Sequence, residues 1–213
     1  MRWCRKLGSL QRVAARRLER LRQLTLGTQA APVRRFEAEI TYVVVDLLNT
    51  WANFVRSYYL SCLFRARTVN NQVIQSAVAF PDTNAALGFA VQRWNRRATP
   101  NSAGVWRRRD EPAWQDHRVL LTLSSELRLS NDPTIRAGVS LGAQVLNDLT
   151  PFRNFFAHRN AVTHRTAVTI AATYGIFARK PSIALTSRPL GRPQSLLLDW
   201  IDEIDIVVEY ICE

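Results

Sequence analysis

The chain has 213 residues, a net charge of +12 and 47% apolar residues. That apolar share supports a sizeable core and excludes a chain disordered throughout. No apolar run reaches the roughly 18–20 residues that span a bilayer, which excludes a transmembrane helix and a membrane role built on one.

Only Lys6 and Lys180 are lysines among the 29 basic residues, so the positive charge is almost all arginine. The planar guanidinium suits phosphate contacts, and RNA is the polyanionic partner this excess suggests. Cys4, Cys62 and Cys212 stand far apart with no CxxC spacing, which fits reduced thiols better than a disulfide framework. With three histidines and no Cys/His cluster, no metal site and no cofactor are expected. The basic start lacks a signal-peptide apolar core, although it resembles an Arg-rich transit peptide. The cytoplasm is the expected location.

Residues 1–31 carry eight positive charges against Glu19 alone. Leu7, Leu10, Ala14, Leu18 and Leu21 recur at helical spacing, which predicts a basic amphipathic helix ending near Gly27 and makes 1–31 an N-terminal arm. Its Arg12, Arg16, Arg17 and Arg20 are candidate RNA contacts; docking on a partner or on the domain itself is the other use of such an arm. The domain proper is expected over 34–213. Its first core helix is long: from Phe36 through Ile40, Val44, Trp51 and Tyr58 to Cys62 the apolar steps are three and four, with no glycine or proline between. A second helix is expected from "FPDTNAA" toward Arg97, followed by a loop over 98–112 that holds Arg107, Arg108 and Arg109. Further helices are expected from Ala113 to about Leu129 and, after a "SNDP" cap, from Pro133 to about Leu149. Gly138 and Gly142 in "GVSLG" are one turn apart and suit a close helix contact. His117 reads as an ordinary helix-surface or capping histidine. Near the C-terminus "SIALT" (182–186) can form a short strand-like insert in a Pro-rich stretch. The last segment is an amphipathic helix with Leu198, Ile201, Ile204, Val208 and Ile211 on one face and acids from Asp199 to Glu213 on the other. The fold class is therefore all-α, a helical bundle.

The stretch "LTPFRNFFAHRN" (149–160) carries the chemistry. Thr150 and Pro151 read as an N-cap and first helical residue, with a kink in one continuous helix as the alternative. At about 100° per residue, Phe152, Phe155, Phe156 and Val162 share one arc, and Arg153, Asn154, Ala157 and His158 lie opposite. Histidine exchanges a proton near neutral pH, arginine holds a phosphate with two parallel hydrogen bonds, and Asn154 can bond an imidazole or a ribose hydroxyl. These groups suit RNA cleavage by its own 2′-hydroxyl, a reaction that requires no metal. One histidine serves awkwardly as both acid and base, so a symmetric homodimer sharing the site is expected. "RNAVTH" (Arg159–His164) repeats the Arg/His spacing, but the same wheel puts Arg159 on the phenylalanine side. Arg159 is counted instead with the RNA contacts.

"RNFFAH" resembles the R-x4-6-H signature of the HEPN superfamily, including a polar residue after the arginine. The resemblance implies a HEPN-type bundle over about 34–213 and a dimeric, metal-independent endoribonuclease of the toxin or antiviral-defence kind. It further implies that Arg153 and His158 are catalytic, that Asn154 is their polar companion, and that an antitoxin or effector-complex protein is a possible partner. The toxin subgroup with a modified tyrosine two positions after the histidine is not matched, since Asn160 stands there. A non-catalytic HEPN-like RNA- or nucleotide-binding protein, or an assembly subunit, is the alternative.

Overall fold

Apolar residues at three- and four-residue steps, uninterrupted by glycine or proline, carry helix α2 through all 31 residues of Val33–Leu63. The computed structural model describes residues 1–28 and 33–213, apart from the side chains at 33 and 34; residues 29–32, where the expected arm ends, lie outside the described residues. Among the described residues the chain is all-α. Before α2 comes α1 (Leu7–Thr28); after it come α3 (Thr83–Trp94), α4 (His117–Glu126), α5 (Asp132–Leu141), α6 (Ala143–His158), α7 (Ala161–Thr173), α8 (Pro181–Thr186) and α9 (Leu196–Cys212). Extended pairing among them is limited to two isolated bridges, Lys6 with Arg67 and Arg67 with Val73.

The chain forms two compact units: unit 1 is 1–13, 52–140 and 208–213, and unit 2 is 14–51 and 141–207. In unit 1 the buried side chains include Leu7, Leu10, Phe54, Tyr59, Trp114, Leu123 and Ile211. Most of its buried polar groups find partners, as burial demands, although Asn131 Oδ1 has none among the described residues. The Tyr58 hydroxyl donates to the Ile211 carbonyl at 2.7 Å and accepts from Asn131 Nδ2 at 2.7 Å. Arg56 grips the Glu111 carboxylate in a two-pronged pair at 2.6 and 2.8 Å, and Trp114 Nε1 donates to the same carboxylate. In unit 2 the core gathers Leu18, Ile40, Leu47, Trp51, Leu149, Phe152, Trp200 and Ile204, and α7 packs against α6 and α8.

Every apolar position predicted for α1, Leu7 to Leu21, is buried, and Arg22 at the far end of the helix bonds Asp202 through Nε at 3.0 Å. Several expected boundaries move. α3 stops at Trp94 rather than Arg97, because Asn95 leaves the helical region at φ −133°, ψ 80°. α4 begins at His117, where Asp116 caps it by accepting from the Arg118 N–H. The helix expected to run from Pro133 to Leu149 is two helices, α5 and α6, separated at Gly142. "SIALT" is not a strand. It is the body of α8, with Pro181 supplying the preset φ of a first helical residue and Ala184 N–H bonding the Lys180 carbonyl at 3.0 Å.

Both glycines of "GVSLG" lie under α9 residues. In unit 1 a Cβ at Gly138 would overlap Ile211 Cγ2 and lie 3.0 Å from Tyr210 Cδ1; in unit 2 one at Gly142 would lie 2.6 Å from Val207 Cγ2. Gly138→Ala should therefore destabilise the protein by about 1–3 kcal/mol, the usual cost of overpacking. Combined with Ile211→Ala, which removes the obstructing methyl, it should cost less than the sum of the two single changes. Urea midpoints of the four proteins check this; strict additivity would count against the contact.

Candidate functional site

The motif lies in the second half of α6, not at a helix start. Pro151 sits inside the helix, where it lacks the N–H that would bond the carbonyl of Asn147, and Thr150 is a helical residue rather than a cap. The helix continues because Leu149 and Phe152, on either side of Pro151, are fully buried. An exposed helix N-terminus, whose partial positive charge would favour a phosphate, is consequently absent beside Arg153. The next such terminus belongs to α7, and Asn160 closes it by accepting from Thr163 N–H at 2.9 Å.

Phe152 is fully buried and meets Trp200 edge-on, with ring centroids 5.2 Å apart and planes at 84°. Phe155, expected in the core, is half-buried; its ring packs on Phe156 at 5.1 Å and on His164 at 5.7 Å. Val162, assigned to the same arc, is 74% exposed. The arc fails there because α6 ends before it: Arg159 turns left-handed at φ 42°, ψ 45°, and α7 starts a new helical phase.

Arg153 and Asn154 are half-buried, and Ala157 and His158 are exposed. Arg153 Nη1 donates to Asn154 Oδ1 at 3.4 Å and, among the described residues, forms no ion pair with a carboxylate. A partly desolvated guanidinium without a counter-ion is a receptor for an anion. Asn154 and His158 are four residues apart, hence one turn apart on one side of α6, whereas Arg153 leaves the axis about 140° from His158. Arg159 sits at the helix end with Glu37 at 3.6 Å and Thr41 Oγ1 at 3.5 Å. Arg16, Arg17 and Arg20 are exposed on α1 in unit 2; Arg12, in unit 1, leans back with Nε on the Gly8 carbonyl at 3.2 Å. Of the predicted catalytic groups, Arg153 and Asn154 are joined by a hydrogen bond.

The three histidines have three different environments. Among the described residues nothing hydrogen-bonds the His158 ring. His164 is held by the Arg179 carbonyl at 2.9 Å from Nε2 and packs against Phe155. His117 is buried at 7% exposure rather than on the surface, and burial lowers its pKa below the ordinary 6.5 despite Asp116 beside it. A further polar pair was invisible in the sequence. Tyr174 donates to Asp148 Oδ2 at 2.8 Å, linking α6 to the end of α7, and burial raises the pKa of both groups. Residues 26 apart with no periodic relation leave no signal for such a bond. Asp199, assigned to the solvated acidic face, is buried at 7% exposure, and Asp202 takes Arg22 and Gln194. Among the described residues no three His, Cys, Asp or Glu side chains gather where a metal ion could be held, and no helix is long and apolar enough to cross a membrane.

Fold and site together define an all-α protein with an outward-facing Arg/Asn/His set on one helix. The chain matches no family model, no curated protein and no solved structure.

The depressed pKa of His117 has a definite sign. The folded state favours the neutral ring, so this contribution to stability is complete above pH 6.5 and is lost as pH falls through the lower folded value. Wild type should thus lose more denaturation midpoint than His117→Gln on going from about pH 7.5 to about pH 5. Parallel pH series of urea melts measure it, and equal losses would refute the assignment.

Proposed function

We propose that the protein is a metal-independent endoribonuclease of the HEPN type, acting in the cytoplasm as a toxin or antiviral effector. The observation that carries this reading is the pairing of a half-buried arginine that lacks a carboxylate partner with an exposed, unbonded histidine on the same helix. In this reading the 2′-hydroxyl of RNA attacks the adjacent phosphorus, forming the cyclic 2′,3′-phosphate and expelling the 5′-oxygen. His158 of one copy takes the 2′ proton, and the equivalent ring of a second copy protonates the leaving oxygen. Arg153 stabilises the charge that accumulates on the phosphorane oxygens. Asn154, one turn before His158, orients the ring or the ribose. The divergence of Arg153 and His158 around α6 is the reason to place two copies of the helix about one phosphodiester.

The purified protein should cut RNA but not DNA in the presence of EDTA and leave cyclic phosphate ends. Arg153→Ala and His158→Ala should each lower the rate at least about 100-fold while their thermal melts stay near wild type. Cleavage that persists in His158→Ala would overturn the mechanism, and the protein would then be read as a HEPN-like binding or assembly subunit.

Ala157 is exposed between the candidate groups, so the subunit fold does not need its small size. Ala157→Trp should abolish both dimer formation and cleavage with helicity unchanged, as followed by sedimentation, activity and circular dichroism. A monomer that cleaves at full rate would exclude a shared site.

A further inference from the structure

Unit 1 contains an open cavity of about 480 Å³ between the start of α1 and the loop that follows α2, lined by Lys6, Ser9, Arg12, Arg67, Thr68 and Asn71 among others. Its charge is one-sided: three of the nine lining residues are cations and none is an acid, against 29 basic and 17 acidic residues in the whole chain. Glu213 lines a neighbouring cleft, which shares Thr68 with this cavity.

Backbone geometry imposes the arrangement. Arg67 N–H bonds the Arg5 carbonyl and Leu7 N–H bonds the Arg67 carbonyl, both at 2.8 Å, so the Lys6 and Arg67 segments run side by side. The loop then closes on itself, Thr68 N–H to the Gln72 carbonyl at 2.9 Å and Asn71 N–H to the Thr68 carbonyl at 3.0 Å, with Asn71 left-handed at φ 64°. Arg67 Nη1 donates to the Asn71 carbonyl at 3.2 Å, which fixes the guanidinium at the rim. On α1, Gly8 and Arg12 are one turn apart, and Arg12 is steadied by the Gly8 carbonyl and by Ser9 Oγ at 3.3 Å. A Cβ at Gly8 would meet only Val69 Cγ2, at an ordinary contact distance of 3.5 Å.

Three cations around one concavity give it a positive potential that attracts an anion from solution. We infer that this cavity binds the phosphate monoester of a nucleotide. Lys6 supplies a point charge, Arg67 and Arg12 supply planar donors for phosphate oxygens, and Ser9, Thr68 and Asn71 supply neutral hydrogen bonds for the sugar or base. The volume falls within the roughly 300–1,000 Å³ of small-molecule sites. The inference rests on this cavity alone, not on the reading of α6. Two sources offer the same chemistry: a free nucleoside 5′-phosphate and the phosphorylated 5′ end of an RNA.

Calorimetry with adenosine 5′-monophosphate tests the first source. A 2′-O-methyl RNA decamer, which cannot be cleaved through its 2′-oxygen, tests the second when compared with and without its 5′-phosphate. Wild type should bind at least one phosphorylated probe, and Lys6→Glu or Arg12→Glu should weaken that binding about 10-fold or more. Both side chains are exposed, and thermal melts confirm that the variants fold. Arg109→Glu, which reverses an exposed charge outside the cavity, should change affinity less than about 2-fold. Tighter binding of the phosphorylated decamer than of the mononucleotide identifies an RNA end, and the reverse identifies a free nucleotide. The inference is overturned if neither probe binds, if adenosine binds as tightly as its 5′-monophosphate while the decamer binds equally with and without its 5′-phosphate, or if Arg109→Glu weakens binding as much as Lys6→Glu.

Discussion

The setting of α6 depends on one aromatic contact. Phe152 lies edge-on against Trp200, both without solvent exposure, and Tyr174 meets the same indole from α7 at 6.0 Å. Burying a phenylalanine of this kind stabilises by about 1.5–3 kcal/mol, and an aromatic pair adds about 0.5–1.5 kcal/mol. A helix fixed at Phe152 has no rotational freedom left, so Asn154 and His158 are held on the side away from Trp200. The Tyr174–Asp148 hydrogen bond fastens the same helix one turn earlier. Pro151 can stand inside α6 because these anchors offset the one missing backbone hydrogen bond, which by propensity alone would end a helix.

The same anchoring explains the division of labour among charged groups in unit 2. Arg22 and Asp202, and Arg159 and Glu37, find opposite charges within the fold. Arg153 has none among the described residues, although part of its surface is withdrawn from water. In a chain with 27 arginines, charge alone marks no site; the informative arginine is one that the fold desolvates without neutralising. In unit 1 the comparable feature is the cation cluster of Lys6, Arg12 and Arg67, of which Lys6 and Arg67 are brought together by backbone pairing. The two features differ in kind. One is a set of side chains spread around an outward helix face, to which the proposed function assigns RNA and a second copy. The other is a concavity sized for a small group.

Long uninterrupted periodicity was sufficient to read the all-α class. The rows from Phe36 to Cys62 in α2, from Leu7 to Leu21 in α1 and from Leu198 to Ile211 in α9 each specify a buried face, because 3.6-residue geometry leaves one solution for such spacing. The close approach allowed by Gly138 and Gly142 was equally legible, since only glycine leaves that space. The outward side of "RNFFAH" followed from the same wheel for as long as α6 lasted. It failed at Val162, where a left-handed Arg159 resets the helical phase.

What the sequence could not settle depended on distant partners. Short-range signals made "SIALT" a strand candidate, since Ile and Thr favour extended backbone; with no neighbouring strand to pair, its backbone groups are satisfied within a helix that Pro181 starts. Pro151 reads locally as a helix start, and only the burial of Phe152 against a residue 48 positions later makes it an interior residue. His117 and Asp199 look like surface residues on a helical wheel, yet both are buried, because burial is set by which elements pack over a face and not by polarity. Periodicity is a property of one helix and can be read from that helix alone. Rotational setting, desolvation and the meeting of Tyr174 with Asp148, or of Lys6 with Arg67, are properties of pairs of elements, and only packing decides them.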